Sequence, residues 1–325
     1  MRRALVGGVR FKPSEALRFL GGLVAVIVVL GLVVLRVTSC APTPPPRVAP
    51  KPPAAVVTPG PPPKPAPPPA PPTPDCDSGP AAAAHANTAS LQTLAWAPFG
   101  RPETGWETYA PLIAREIHTR CEPGSPGFAA ALAAWQADQQ MPADGIMDPA
   151  VFARMKGVIQ TRRPFVRLSA QRICPAAPGP GELAQAARDE GYAGKAIQLR
   201  PGTLAAYRKM VAAARADSPE IAADPRNLTI FSGFRSPASD AARCAAEHNC
   251  QGLVRATCSA HRTGLAMDMY VGQAPGYGPD SSADENRRYM SRTAAYRWLV
   301  LNADHFGFVP YPFEPWHWEW TGAAP

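Results

Sequence analysis

The chain has 325 residues, with 33 Lys and Arg against 25 Asp and Glu, a net charge of +8, and 41 prolines. Its length allows about two globular domains once non-globular sequence is set aside. The basic charge is uneven: residues 1–40 carry +5, residues 41–75 carry +2 and residues 76–325 only +1. The part able to fold therefore lacks the basic surface that nucleic acid requires, and a nucleic-acid partner is excluded.

Phe19–Leu35 is a run of 17 uncharged residues, FLGGLVAVIVVLGLVVL. It falls at the short end of the range for a membrane-spanning helix, and Leu17 and Val37 extend it past the snorkelling side chains of Arg18 and Arg36. Arg2, Arg3, Arg10, Lys12 and Arg18 precede it, so the N-terminus is expected to stay in the cytoplasm and the remainder to be exported. Residues 1–40 thus read as a cytoplasmic N-terminus and a single-pass signal anchor in the inner membrane. A second reading stays open: Val37-Thr38-Ser39-Cys40 is similar to a lipobox with Cys40 as the lipidated residue, although Arg36 sits close for that. Both readings tether the product to a membrane, facing outward.

Residues 41–95 read as a Pro/Ala-rich linker. Eighteen of the prolines fall between Ala41 and Pro74, which predicts an extended, polyproline-like spacer able to reach on the order of 100 Å. Beyond Cys40 there are six cysteines, Cys76, Cys121, Cys174, Cys244, Cys250 and Cys258. An even number in an exported chain predicts disulfides; six allow 15 pairings, and the short Cys244–Cys250 spacing suggests one small closed loop.

Residues 96–160 read as a small helical module. Trp106–Ile117 is a plausible first helix. Phe128, Leu132 and Trp135 recur at helical spacing, Pro142–Gly145 breaks the pattern, and Asp148-Pro149 supplies an N-cap and a first-turn proline for a helix with Val151, Phe152 and Met155 on its apolar face. Trp135-Gln136, then Asp144-Gly145-Ile146, then the helix reaching Met155, resemble the second half of the peptidoglycan-binding module of cell-wall hydrolases. Trp135 and Phe128 fit a core better than a ligand platform. Residues 161–181, basic and then rich in Pro and Gly, read as a second linker.

From residue 182 the pattern becomes regular. Leu183, Ala186 and Ala187 suit a short helix ended by Gly191, and Ile197–Leu199 a short strand. Thr203–Ala216 predicts a helix, Leu228–Ser232 a strand and Gly233–Pro237 a turn. Leu265–Val271 alternates as a strand, Gly272–Asn286 reads as loop and Arg292–His305 as helix. Phe306–Val309 and Trp316–Trp320 are the last strands. Strands and separate helices without a repeating βαβ unit predict an α+β domain over 182–325: a small mixed or antiparallel sheet with flanking helices.

Two stretches of this domain carry metal-binding chemistry. Ser259-Ala-His261-Arg-Thr-Gly264-Leu-Ala266-Met-Asp268 and Glu314-Pro-Trp316-His317-Trp318-Glu319-Trp320 together offer two imidazoles and two acids. His261, Asp268 and His317 suit zinc with a fourth position open, and Glu314 is placed to act as the base. His261 and Asp268 have the wrong parity to share a face of one strand. A turn at Gly264 would correct this, and a strand break at Pro315 would let Glu314 reach the cleft that holds His317. Arg235, on the turn after a strand, is the candidate cation for an oxyanion. Glu319 has a weaker claim, as a carboxylate orienting a ligand histidine.

These motifs resemble the zinc D-Ala-D-Ala carboxypeptidases of the VanY type, within the wider lysostaphin- and hedgehog-like zinc folds. Ser259, His261, Gly264, Ala266 and Asp268 fill the family's first motif, Glu314–Trp318 its E-P-W-H-W motif, and Ser232–Ser236 its S-G-Y/F-R-S turn, over roughly 185–322. The resemblance implies His261, Asp268 and His317 as zinc ligands, Glu314 as catalytic base, and Arg235 with Ser232 and Ser259 on the substrate side. It implies a zinc peptidase acting on peptidoglycan stem peptides in the periplasm, most simply at the terminal D-Ala-D-Ala bond. An endopeptidase of the same fold and a non-catalytic wall-binding tether are the alternatives. Asp240, where the family often has Gln, and the Cys-rich stretch 244–258 depart from the pattern.

Overall fold

The computed structural model describes residues 75–170, 173–246, 248, 250 and 258–322. The expected membrane span, Cys40 and the proline spacer up to residue 74 lie outside these residues. Among the described residues no helix is long and apolar enough to cross a membrane. All of them belong to one unit of the chain, Pro69–Pro325.

The first part is helical: α1 (Ala81–Ser90), a two-residue ladder of β1 (Ala95–Trp96) with β2 (Glu103–Thr104), then α2 (Ala110–Glu116), α3 (Pro126–Asp138) and α4 (Pro149–Thr161). Local chemistry explains the boundaries. Ser125 Oγ accepts from Phe128 N at 3.2 Å and opens α3, and Asp148 Oδ1 accepts from Val151 N at 2.7 Å and opens α4, each with proline in the first turn. Trp106, Tyr109, Phe128, Leu132, Phe152 and Met155 are buried together. Trp135 and Gln136 are buried too. Gln136 Nε2 donates to Asp144 Oδ1 at 2.9 Å and its Oε1 accepts from Gly145 N at 2.7 Å, so the residues carrying the module resemblance form a clasp across the α3–α4 connection. Asp148→Ala should cost about 1 kcal/mol of stability, read from the midpoint of urea unfolding.

Two segments read as linker depart from the sequence reading. Residues 81–90, assigned to the linker, are the helix α1. Ala83 and Ala84 pack on Ala129, and Asn87 bonds Gly145 O (2.9 Å) and Met147 N (2.8 Å). An Ala-rich helix has strong propensity but almost no apolar periodicity to reveal it. Residues 161–181, also assigned to a linker, begin with α5 (Pro164–Leu168), which packs on the last strand.

The second part begins with β3 (Ala184–Gln185), antiparallel to β4 (Gln198–Leu199). The short helix expected over 183–187 is therefore absent: Pro180–Glu182 forms a 3-10 turn, and Ala186 N bonds Ile197 O across the ladder. The three-residue apolar spacing there suited either structure. The helices α6 (Pro201–Asp217), α7 (Pro219–Ala223), α8 (Pro237–Ala246), α9 (Asp284–Ser291) and α10 (Ala294–Asn302) flank a four-stranded sheet. Its strands are β5 (Ile230–Ser232), β6 (Ala266–Met269), β7 (Phe308–Tyr311) and β8 (Glu314–Trp320). Their spatial order is β5-β6-β8-β7 and every pairing is antiparallel, which gives the expected α+β architecture. The helix α9 begins inside the stretch read as loop, and α10 is capped by Thr293, whose Oγ1 accepts from Tyr296 N at 3.3 Å. Leu199, Leu204, Met210, Ile230, Met269 and Leu299 form the core beneath the sheet. The strand β8 is buried on both faces, with Trp316 and Trp318 beside His317 and Glu319.

Candidate metal centre

His261 is presented by a 3-10 turn, Ala260–Thr263, closed by Gly264 at φ 70°. A side chain at Gly264 would meet Arg200 Cγ and Leu183 Cδ2 at 3.2 Å as well as strain the backbone. The turn ends one side-chain phase and β6 starts another, which brings Asp268 toward His261 as the parity argument required. His317 arrives by register: Asp268 and His317 are direct cross-strand partners on β6 and β8. Glu314 arrives differently from expectation. Pro315 does not break β8, which runs unbroken from Glu314 to Trp320. Instead β8 bulges against β7: Pro310 pairs with Trp318, and the next β7 residue, Tyr311, pairs with Glu314. Trp318 Nε1 donates to Pro315 O at 3.1 Å and holds the bulge. Glu314 and His317, three residues apart, thereby face one cleft.

The ligand atoms converge. His261 Nε2 lies 3.1 Å from Asp268 Oδ2, and His317 Nδ1 lies 2.9 Å from Asp268 Oδ1. One donor atom from each of the three residues lies within 4.8 Å of the others, and among the described residues this is the one His/Cys/Asp/Glu group able to hold a metal ion. Tetrahedral ligands about 2.1 Å from an ion stand about 3.4 Å apart, so small adjustments admit one. His261 Nδ1 faces Gly233 O at 2.8 Å; a carbonyl only accepts, so Nδ1 carries the hydrogen and Nε2 keeps its lone pair for a ligand. Two imidazoles and a carboxylate suit zinc, and a carboxylate not used as a ligand, Glu314 Oε2, stands 3.7 Å from His317 Nδ1.

The electrostatics favour a cation. Burial, then the Arg235 guanidinium, lowers His261 to about 4, so its ring is neutral at pH 7. Burial opposes charge on His317, but the Asp268 and Glu319 carboxylates outweigh it and raise the ring to about 9. Burial alone would raise Asp268; the two imidazoles hold it well below the usual carboxylate range. Burial raises Glu314 to about 7, with His317 countering and Asp268 adding repulsion. Three acids around one imidazole call for positive charge at that ring, which a proton or a metal ion supplies.

Arg235 lines the same cleft, which encloses about 240 Å³. Its Nε donates to Asp240 Oδ1 at 2.9 Å, its Nη1 to Ser232 Oγ at 2.7 Å, and its Nη2 approaches Ser259 Oγ at 3.4 Å. Ser259 Oγ in turn donates to Asp240 Oδ2 at 2.6 Å. Asp240, noted as a departure from the family pattern, is the buried anchor of this arginine. Ser232 and Ser259, expected on the substrate side, lie beside Arg235 with their hydroxyls engaged by it. Nη1 remains 3.9 Å from Asp268 Oδ2, so the guanidinium borders the candidate metal ligands.

Sequence reasoning missed one contributor. Arg163, Phe165 and Val166, from the supposed second linker, line the cleft. Glu319 was the available signal: a carboxylate between two tryptophans of a buried strand needs a countercharge, and an Arg-Arg-Pro stretch offers one. The disulfides are Cys76–Cys121, Cys174–Cys258 and Cys244–Cys250. The second ties residue 174 to the cleft wall next to Ser259, and the third is the small loop expected from spacing.

Residues 196–323 match the family model of the VanY D-alanyl-D-alanine carboxypeptidases, and all of the site residues named from sequence fall within that segment. No curated protein matches the chain. Among solved structures, one described as that of the LdcB LD-carboxypeptidase, in connection with peptidoglycan recognition, aligns with 22% identity and a TM-score of 0.32, covering 46% of this chain and 72% of that one.

Proposed function

We propose, from the premise that residues 196–323 form a peptidase domain of the VanY type, that this chain is a zinc peptidase trimming peptidoglycan stem peptides at the terminal D-Ala-D-Ala bond. The N-terminal apolar run holds it to the membrane, and the proline spacer carries the enzyme outward into the periplasm. The observation that carries the reading is the convergence of His261, Asp268 and His317 with Glu314 and Arg235 in one cleft.

Zinc held by His261, Asp268 and His317 would polarise the scissile carbonyl and lower the pKa of water toward about 7. Glu314 accepts the proton that the attacking water loses as its oxygen bonds to the carbonyl carbon. It returns that proton to the amine nitrogen as the C–N bond breaks. Burial raises the Glu314 carboxyl above the usual carboxylate range, which favours its holding the proton between the two transfers. Arg235, fixed by Asp240, presents a positive edge toward the oxyanion or the substrate carboxylate without reorganising during the reaction.

The test is digestion of a muropeptide pentapeptide by the full-length protein, with and without chelator. Free D-Ala and a tetrapeptide are expected, with release abolished by chelation and restored by zinc. A shortened fragment without free D-Ala would assign an endopeptidase instead. Sedimentation onto cell walls with no product would make the chain a binding tether.

A further inference from the structure

Glu319 is 1% exposed and carries its charge inside β8. Such a group is costly unless paired, and its partner comes from outside the segment that matches the family. Arg163 Nε donates to Glu319 Oε1 at 2.7 Å and Nη2 approaches the same oxygen at 2.5 Å. Phe165 N donates to the other oxygen, Oε2, at 2.9 Å. Arg163 is itself buried, bonds Gln160 Oε1 through Nη1 at 2.5 Å, and lies 4.1 Å from the Tyr311 ring centroid. The end of α4 and the start of α5 thus hold this guanidinium in a single place.

The two oxygens of Glu319 are not equivalent. Oε2 is taken by the backbone of α5. Oε1 faces both Arg163 and His317 Nε2, the latter at 3.4 Å. His317 Nε2 is buried and has no well-aligned hydrogen bond, and Glu319 Oε1 is the carboxylate oxygen turned toward it. Its other ring nitrogen, Nδ1, faces Asp268. Both nitrogens therefore face a carboxylate; because Asp268 is itself in the candidate ligand set, Glu319 is the carboxylate left to accept a hydrogen from Nε2 when Nδ1 serves as a ligand, and partners of this kind orient metal-binding histidines.

We propose that Arg163 is a positioning residue of this peptidase: it fixes Glu319 so that the carboxylate holds His317 Nε2 as the protonated nitrogen and leaves Nδ1 turned toward Asp268 as a ligand atom. The proposal rests on the zinc-peptidase reading and extends it, because it makes the helical part of the chain a component of the active site. A domain cut at residue 182 or 196 would leave Glu319 buried without its countercharge.

The experiment compares full-length wild type, Arg163→Met and the double variant Arg163→Met/Glu319→Leu. Zinc affinity by competition with a chromophoric chelator, kcat and KM for D-Ala release, and melting temperature are measured on each. Arg163→Met should lose about 10- to 100-fold in zinc affinity and a similar factor in kcat, with KM changed much less. The double variant removes both charges and should recover melting temperature but not zinc affinity. Wild-type zinc affinity and kcat in Arg163→Met, or recovery of zinc affinity along with stability in the double variant, would reduce Arg163 to glue between α5 and β8 and overturn the proposal. If wild type takes up no zinc, the proposed function fails at its metal. Nitrogen-15 spectra of the His317 ring in the metal-free protein, taken at a pH high enough that the ring is neutral, then decide the positioning: a ring unaffected by Arg163→Met overturns it, and a change in which nitrogen carries hydrogen supports it.

Discussion

Replacing Glu314 by Gln is expected to lower D-Ala release by about 10²- to 10⁴-fold while the protein still binds one zinc ion and melts at or above the wild-type temperature. Each part has a separate cause. Gln keeps the volume and the acceptor oxygen of Glu but cannot take a proton, so the transfer between water and the leaving amine loses its carrier. Zinc should be retained because the proposed ligand group, His261, Asp268 and His317, does not include Glu314. Stability should not fall, because Glu314 is a buried acid close to Asp268, and removing its charge relieves both the desolvation cost and the repulsion that push its carboxyl up to about 7. Metal analysis, calorimetry and single-turnover release of D-Ala on the same preparation check the three parts. A variant that releases D-Ala at the wild-type rate would place the base elsewhere.

Much of this site was legible because it lies in short, local words. The His261 turn, the strand after Gly264 and the E-P-W-H-W stretch each state their own geometry: positive φ at Gly264, alternation along β6, tryptophans framing His317. What brings Glu314 beside His317 was misread, because a bulge depends on the partner strand. Nothing within Glu314–Trp320 reveals that β7 advances one residue while β8 advances four. The same limit hid Arg163. Its pairing with Glu319 spans 156 positions, and a basic stretch before a proline looks like a linker until the buried acid it must neutralise is located. The Ala-rich α1 was hidden for another reason: its contacts are small-residue packing and one asparagine clasp, which leave no hydrophobic periodicity. In the helical module Trp106, Phe128 and Trp135 are all buried, as residues of a core rather than of a ligand platform are.

Arg287→Met is expected to destabilise the fold by about 3–5 kcal/mol, a fall in melting temperature on the order of 10 °C, and to reduce kcat at 25 °C by about ten- to a hundredfold. Arg287 on α9 is fully buried and joins the two parts of the described chain. Its Nη1 stands 3.2 Å from Glu103 Oε1, its Nη2 donates to Tyr109 OH, and Tyr109 OH donates to Glu103 Oε2 at 2.6 Å. On the other side its Nε donates to Phe313 O at 2.8 Å, with the guanidinium 4.2 Å from the Phe313 ring centroid. Methionine fills much of the same volume but leaves Glu103 charged and buried without a counterion, the costly half of a broken pair. It also frees the carbonyl of Phe313, the residue immediately before Glu314, so the start of β8 loses the contact that sets its height in the cleft. Arg287→Met/Glu103→Leu separates the two effects. Removing the orphaned charge should return most of the melting temperature, whereas kcat should stay low, because neither substitution restores the bond to Phe313 O. Calorimetry and D-Ala release on the full chain check both variants. If the single variant melted within a degree or two of wild type, the buried pair would hold nothing together. If the double variant regained full kcat, Glu314 would take its position from β8 alone rather than from the helical part through Arg287.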